Sequence, residues 1–292
     1  MQKVIVILGQ TAAGKSDLAV KIAKKINGEI ISADSRQVYK NLNIGSGKIT
    51  KKEMEGVPHH LLDVANPKIK FTVVKYQKLA ISAMADIVKR GKTPIICGGT
   101  GFYIDAVTKG IIFPEVPPNI KLRKQLVTKS AITLFLTLKK LDPQRAKTID
   151  AKNKVRLIRA VEIAKALGKV PKETEARLPF NFIKIGLYLP TAKLKNKIEK
   201  RLLTRIKMGM LNEAKKLHKQ GLSWKRMEEL GLEYRFMALY LQNKINKKEM
   251  LEKLNSEIHK YAKRQKTWFK RDKEITWFDA SKLKTYVIIN VL

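Results

Sequence analysis

The octet "GQTAAGKS" at residues 9–16 follows the apolar run "VIVIL" and fits the phosphate-loop spacing G-x-x-x-x-G-K-[ST]. In such a loop, consecutive backbone N–H groups wrap an anion, and the positive end of the following helix adds to them. Gly9 and Gly14 let the backbone approach closely, Lys15 reaches the outer phosphates, and Ser16 is placed to ligate a magnesium ion. Gln10, Thr11, Ala12 and Ala13 complete the cradle. This pattern specifies a bound phosphate but leaves its chemical fate open.

An NTP hydrolase normally ends another apolar strand in an Asp that holds the metal through water. Here "TPIICGGTG" (93–101) ends in Cys97-Gly98-Gly99-Thr100, without a carboxylate, and the acid at hand is Asp34 in "SADSRQVYK". Asp34 has three readings: a partner of magnesium, a base that takes a proton from a nucleophile beside the phosphate, or an Asp that caps a turn. His59 and His60 in "VPHHLLD" lack a companion cluster of Cys or His, so a structural or cleft-lining role is expected of them rather than zinc binding.

These residues need a scaffold that brings them to one edge. Residues 3–8 read as a strand, and Leu18, Ala19, Ile22, Ala23 and Ile26 recur at helical spacing after the loop. "EIISADS" (29–35) and residues 93–101 read as further strands, and between them lies a long helix that ends at Gly91. Alternating strands and helices predict a parallel sheet with helices on both faces and ligands beyond its C-terminal edge. The Pro-rich "FPEVPPN" (113–119) marks a break into basic, helical sequence. "IKIGLYLP" (183–190) and "EITWFD" (274–279) return as strands. The expected fold is α/β: a P-loop NTPase-like parallel sheet flanked by helices, with a helical insertion domain. Its core is expected at 1–190 and 263–292, and its insertion at 191–262.

Sixty-one Lys plus Arg against 25 Asp plus Glu give the 292-residue chain a formal charge of +36, which points to a polyanionic partner, nucleic acid first. "YAKRQKTWFKR" (261–271) interleaves cations with Tyr261, Trp268 and Phe269, a mixture suited to phosphate pairing and base stacking. On a helix the same pattern also fits core aromatics beside solvated lysines. The one cysteine, Cys97, cannot form an intrachain bridge, and no apolar run approaches the roughly 20 residues of a membrane helix. A cytoplasmic protein is therefore expected.

Taken together, "GQTAAGKS", "ISADSRQVYKNLNIGSGK", "VPHHLLD", "GGTGFYIDA", "VRLIRAVEI", "RMEELGLEYR" and "YAKRQKTWFKRD", in that order, resemble tRNA dimethylallyltransferase (tRNA isopentenyltransferase) in its short bacterial form. The resemblance implies transfer of a dimethylallyl group from dimethylallyl diphosphate to N6 of the adenosine on the 3′ side of the tRNA anticodon, with release of diphosphate. It makes Asp34 the base that accepts the N6 proton, places Thr100 against the reacting adenosine, and adds Arg201 in "IEKR" to Lys15 as a diphosphate clamp. Ser35, Arg36 and Gln37 then contact tRNA. So do Arg123, Arg156, Arg159, Gly231, Arg235, Lys263, Arg264, Gln265, Thr267, Trp268 and Lys270. Mg2+ is the implied cofactor and the anticodon stem-loop the implied partner, and a monomer would suffice.

The chain departs from the family pattern at Gln10, where Pro is usual, at Val155, where Gln precedes the arginine pair, and at Leu232, where Tyr is frequent. An ATP-dependent small-molecule or nucleotide kinase is the rival enzyme class, and a non-catalytic RNA-binding protein is the rival outside enzymes. The missing carboxylate after the third strand weighs against the kinase.

Overall fold

The computed structural model describes residues 1–283, so the 284–292 part of the expected core segment lies outside the described residues. In chain order the elements begin with β1 (Gln2–Gly9), α1 (Lys15–Lys25), β2 (Gly28–Ala33), α2 (Lys51–Met54), β3 (His59–His60), α3 (Val73–Lys89), β4 (Thr93–Gly98) and α4 (Gly101–Thr108). They continue with β5 (Ile111–Ile112), α5 (Ile120–Val127), α6 (Ala131–Leu141), α7 (Pro143–Thr148), α8 (Lys154–Leu167) and β6 (Thr174–Glu175). The last are β7 (Phe180–Tyr188), α9 (Thr191–Lys207), α10 (Met210–Lys219), α11 (Trp224–Leu230), α12 (Leu232–Leu241), α13 (Lys247–Phe269) and β8 (Thr276–Asp279).

Six strands form one parallel sheet in the order β3-β2-β4-β1-β7-β8. Side chains alternate across a strand, and β1 shows why both faces must be covered. Val4, Val6 and Leu8 enter one apolar cluster, while Ile5 and Ile7 enter another with Leu18, Ala19 and Ile22 of α1. β2, β4 and β1 are neighbours running in one direction, so Ala33, Gly98 and Gly9 end at the same edge. β3 is only two residues long, too short for a periodicity signal. His59 donates Nδ1–H to the Val57 carbonyl at 2.8 Å, and His60 meets the buried Glu29 carboxylate at 2.7 Å. Both histidines thus serve structure. Arg90 and Lys92 also bond Glu29, and the Arg90 hydrogen bonds hold its carboxyl well below the usual range.

The chain divides into two compact units, one of Met1–Lys109 with Arg177–Leu292, the other Gly110–Ala176. The separable unit therefore falls at 110–176 rather than at the expected 191–262. The reason lies in the apolar stripes of α9 to α13. Leu194, Ile198 and Leu202 of α9, Met210 and Leu217 of α10, Tyr234 and Met237 of α12, and Leu254, Ile258 and Phe269 of α13 join the cluster that covers one face of the sheet. Burial of that much apolar side chain makes these helices part of the sheet's own core. α13 opens with a capping box at Asn246 and Glu249, which satisfies two of its unpaired N–H groups at once.

The 110–176 unit has its own core, in which Leu134 and Leu138 of α6 pack with Leu157, Ala160 and Val161 of α8. β5 and β6 pair antiparallel where the chain enters and leaves it, Ile111 opposite Glu175. Among the described residues, no helix is long and apolar enough to cross a membrane.

Candidate active site

The phosphate loop is held from both sides of the sheet edge. Gly9 has φ +133°, and a Cβ there would run into the Leu187 carbonyl of β7, so only glycine fits. Ala12 (φ +61°) and Gly14 (φ +89°) turn through left-handed conformations, and Gly14 caps the start of α1. Alternation of this kind turns successive N–H groups inward as an anion nest. Lys15 Nζ donates to the Gln10 carbonyl at 2.7 Å. Burial, then the Arg201 cation, push the Lys15 ammonium down to about 8, against the pull of the Asp34 carboxylate. The buried Cys97 thiol beside it is pushed up to about 12 by its own burial and stays protonated.

Asp34 follows β2 directly. Its Oδ1 accepts the backbone N–H groups of Arg36 at 2.7 Å and Gln37 at 3.2 Å, a turn that orders residues 34–37, while Oδ2 makes no hydrogen bond among the described residues. The turn-capping reading of Asp34 is thus met by Oδ1 alone, which leaves Oδ2 available at the sheet edge. Thr100 is the N-cap of α4, yet its side chain does not cap that helix. Its Oγ1 accepts the Ser35 N–H at 3.0 Å instead, binding the end of β4 to the Asp34 turn. Tyr261 of α13 lies beside Thr100 and Asp34, and burial raises its phenol far above the usual range, so it remains a neutral hydroxyl.

Arg201 comes to the same edge from α9. Its Nη2 donates to the Gly47 carbonyl at 3.3 Å, and Arg205, one turn later, donates to the Gly45 carbonyl and to Glu233 at 3.0 Å. Gly47 has φ +59°, and a Cβ there would overlap both guanidinium groups. Desolvation, then the Arg205 cation, push Arg201 down to about 10, which still leaves it protonated at neutral pH. Glu213 of α10 accepts the N–H groups of Asn43, Ile44 and Gly45 and the Tyr234 hydroxyl, and so sets the loop that meets the two arginines.

The structure thus brings Gly9 to Ser16, Asp34 to Gln37, Thr100 and Arg201 together. Gly231 joins them, since a Cβ there would lie 3.9 Å from Arg36 Nη2. Arg235 bonds the Glu228 carbonyl beside it. On α13, Lys263, Arg264 and Thr267 are exposed, as is Lys270 at its C-cap, whereas Gln265 is buried and Trp268 donates its indole N–H to Asp105 at 3.0 Å. Trp268 also packs edge-on against Phe102 and under Arg271, so its ring is engaged within the protein. Arg123, Arg156 and Arg159 belong to the 110–176 unit, where Arg123 and Arg159 both pair with the buried Glu162 and Arg156 is exposed on α8. Sequence reasoning missed Glu213, Arg205 and the structural use of Gln265. Only Arg205 carried a signal, four residues after Arg201 on one helical face.

An anion nest, two flanking cations and a carboxylate at the C-terminal edge of a parallel sheet define a P-loop-type group-transfer enzyme. A family model described as IPP transferase matches residues 37–272. The chain is 42% identical over 284 residues to "tRNA dimethylallyltransferase 2" of Trichlorobacter lovleyi, covering 95% of this chain and 92% of that one. It is 41% identical to "tRNA dimethylallyltransferase" of Anoxybacillus flavithermus, covering 95% and 90%. Its fold is similar to the full-length tRNA isopentenylpyrophosphate transferase of Bacillus halodurans, with a TM-score of 0.76, 34% identity, and 100% and 94% of the two chains covered. A eukaryotic dimethylallyltransferase, solved acting on tRNA, aligns with a TM-score of 0.84 at 26% identity, covering 100% of this chain and 78% of that one. The chain belongs to the tRNA dimethylallyltransferase family.

Proposed function

We propose that this protein transfers a dimethylallyl group from dimethylallyl diphosphate to N6 of the adenosine 3′ to the anticodon in tRNA. The observation that carries this reading is the meeting of an intact phosphate nest with Asp34 and Thr100 on neighbouring strand ends, with no carboxylate at the end of β4 to support NTP hydrolysis.

In this reading the loop amides, Lys15 and Arg201 hold the diphosphate. As the allylic C–O bond breaks, both its electrons go to the departing oxygen and positive character grows on the carbon. Stabilising the leaving anion is then where the electrostatics act most strongly. The adenine N6 lone pair is delocalised into the ring, and loss of its proton to Asp34 Oδ2 during attack restores nucleophilicity. One N–C bond forms, one C–O bond breaks, the proton rests on Asp34 and diphosphate leaves whole. Thr100, held by the Ser35 N–H, orients the base. The base must first leave its stack, at a cost of a few kcal/mol offset by contacts in the cleft. Exposed cations of α13 position the stem-loop through its phosphates.

Among the described residues no group of three or more His, Cys, Asp or Glu is placed to hold a metal. The exposed Ser16 hydroxyl, with diphosphate oxygens and water, makes the oxygen-rich donor set that Mg2+ accepts. When bound, Mg2+ would add charge stabilisation to the leaving diphosphate.

Incubation with dimethylallyl diphosphate, Mg2+ and tRNA unmodified at that adenosine is expected to yield N6-dimethylallyladenosine, read by mass spectrometry of the nucleosides. No product from tRNA that demonstrably binds, or a phosphorylated product with ATP in its place, would reject the assignment.

A further inference from the structure

Gln265 of α13 is only 5% exposed, and both ends of its amide are committed inside the protein. Its Oε1 accepts the Thr11 N–H at 2.7 Å, and its Nε2 donates to the Gly99 carbonyl at 2.9 Å. Thr11 N–H and the Gln10 carbonyl belong to a single peptide plane, and that carbonyl is the acceptor for Lys15 Nζ at 2.7 Å. A peptide plane is rigid, so a grip on its N–H fixes where its C=O points. Gln10 lies alongside. It is 5% exposed, its Nε2 reaches the Ala262 carbonyl of α13 at 3.3 Å, and its Oε1 is buried without a partner.

We infer that Gln265 is a positioning residue for the diphosphate, acting through the Gln10–Thr11 peptide on Lys15 and on the amides that follow, rather than a contact to tRNA. The inference rests on reading the loop as a diphosphate cradle. With the Thr11 N–H held by Gln265, the nest is built from Ala12 onward, where the left-handed turn at Ala12 begins. The same amide braces the end of β4 through Gly99, next to Thr100. A Cβ at Gly99 would overlap Gln265 Nε2, so the position admits only glycine if the grip is to form. α13 thereby presents its exposed cations to solvent on one side and fixes the phosphate loop from the other.

Gln265→Met keeps the side chain's length and removes both hydrogen bonds, while Gly99→Ala displaces the amide and leaves Gln265 in place. The probes are inorganic pyrophosphate with Mg2+ and, separately, an unmodified anticodon stem-loop, each titrated by calorimetry against the full-length chain. Both variants are expected to weaken pyrophosphate binding about tenfold, the scale of one buried hydrogen bond, with stem-loop affinity within about twofold of the parent. Unchanged pyrophosphate affinity would overturn the inference, and so would a loss of RNA affinity equal to or larger than the loss of pyrophosphate affinity. Should Gln265→Met fail a thermal-unfolding check, the Gly99→Ala titrations decide the matter alone. A parent protein that binds pyrophosphate but alkylates no RNA would sink the reaction proposed above and leave this inference standing.

Discussion

Asp34→Asn is expected to lower kcat by about 100- to 10,000-fold, with the KM for dimethylallyl diphosphate within about threefold of the parent. Asn is the informative replacement because its Oδ1 still accepts the N–H groups of Arg36 and Gln37, so the turn at 34–37 survives. What is lost is the second oxygen as a proton acceptor, while the phosphate cradle is untouched. Ala at the same position would mix loss of the base with loss of the turn. Single-turnover rates with saturating donor and tRNA separate chemistry from binding. A variant that turns over at nearly the parent rate would mean the N6 proton goes elsewhere.

Lys15→Met carries the other large effect, an expected fall of about 100- to 1,000-fold in kcat, since the charge that meets the leaving diphosphate is removed. The parent's pH dependence follows from the same residue. Burial lowers Lys15 from 10.5 to about 8, and an anion bound in the cradle would favour the charged form and raise it again. The protonated form is the one that attracts diphosphate. Donor binding above pH 8 therefore requires uptake of a proton, and affinity should fall by up to about tenfold per pH unit from there until the raised value of the bound state is reached. The stability contribution has the opposite sign. Between pH 8 and 10.5 the unfolded chain holds more protons on this lysine than the folded one, so folding gains stability as pH rises through that window. Donor affinity that stays flat from pH 7 to about 9.5 in the parent, or that keeps the same slope in Lys15→Met, would remove Lys15 from this role.

Much of this was legible in the residues because phosphate binding uses backbone. A loop that turns its N–H groups inward needs glycines and a lysine at fixed spacing, and residues 9–16 show them whatever surrounds them. Parallel strands buried on both faces write themselves as apolar runs, so β1, β2, β4 and β7 were foreseeable, whereas β8, an edge strand without a buried residue, showed only as the short stretch at 274–279. Lysine-rich amphipathic helices are less transparent. The 191–262 segment, α9 to α12 and the first part of α13, reads as a helical insertion because charged residues, mostly Lys and Arg, recur along it, while the narrow apolar stripe from Leu194 to Phe269 that binds these helices to the sheet is less conspicuous. The true second unit was announced by the Pro-rich segment at 113–119, but β5 and β6, which close it, are each two residues long and carry no period. The contacts of Gln265 lie 254 residues from Thr11 in sequence, and no local pattern reports a side chain reaching that far. Glu213 was silent for the same reason, 170 residues from the Asn43 N–H that it accepts.

The central claim is that the loop holds a diphosphate that departs from carbon, rather than a phosphate that is itself transferred. Dimethylallyl diphosphate labelled with 18O in the oxygen between carbon and phosphorus tests it directly during turnover on tRNA. All of the label is expected in released pyrophosphate, one equivalent for each N6-dimethylallyladenosine formed. Label that stays with the five-carbon unit, or release of orthophosphate in step with product, would contradict the account.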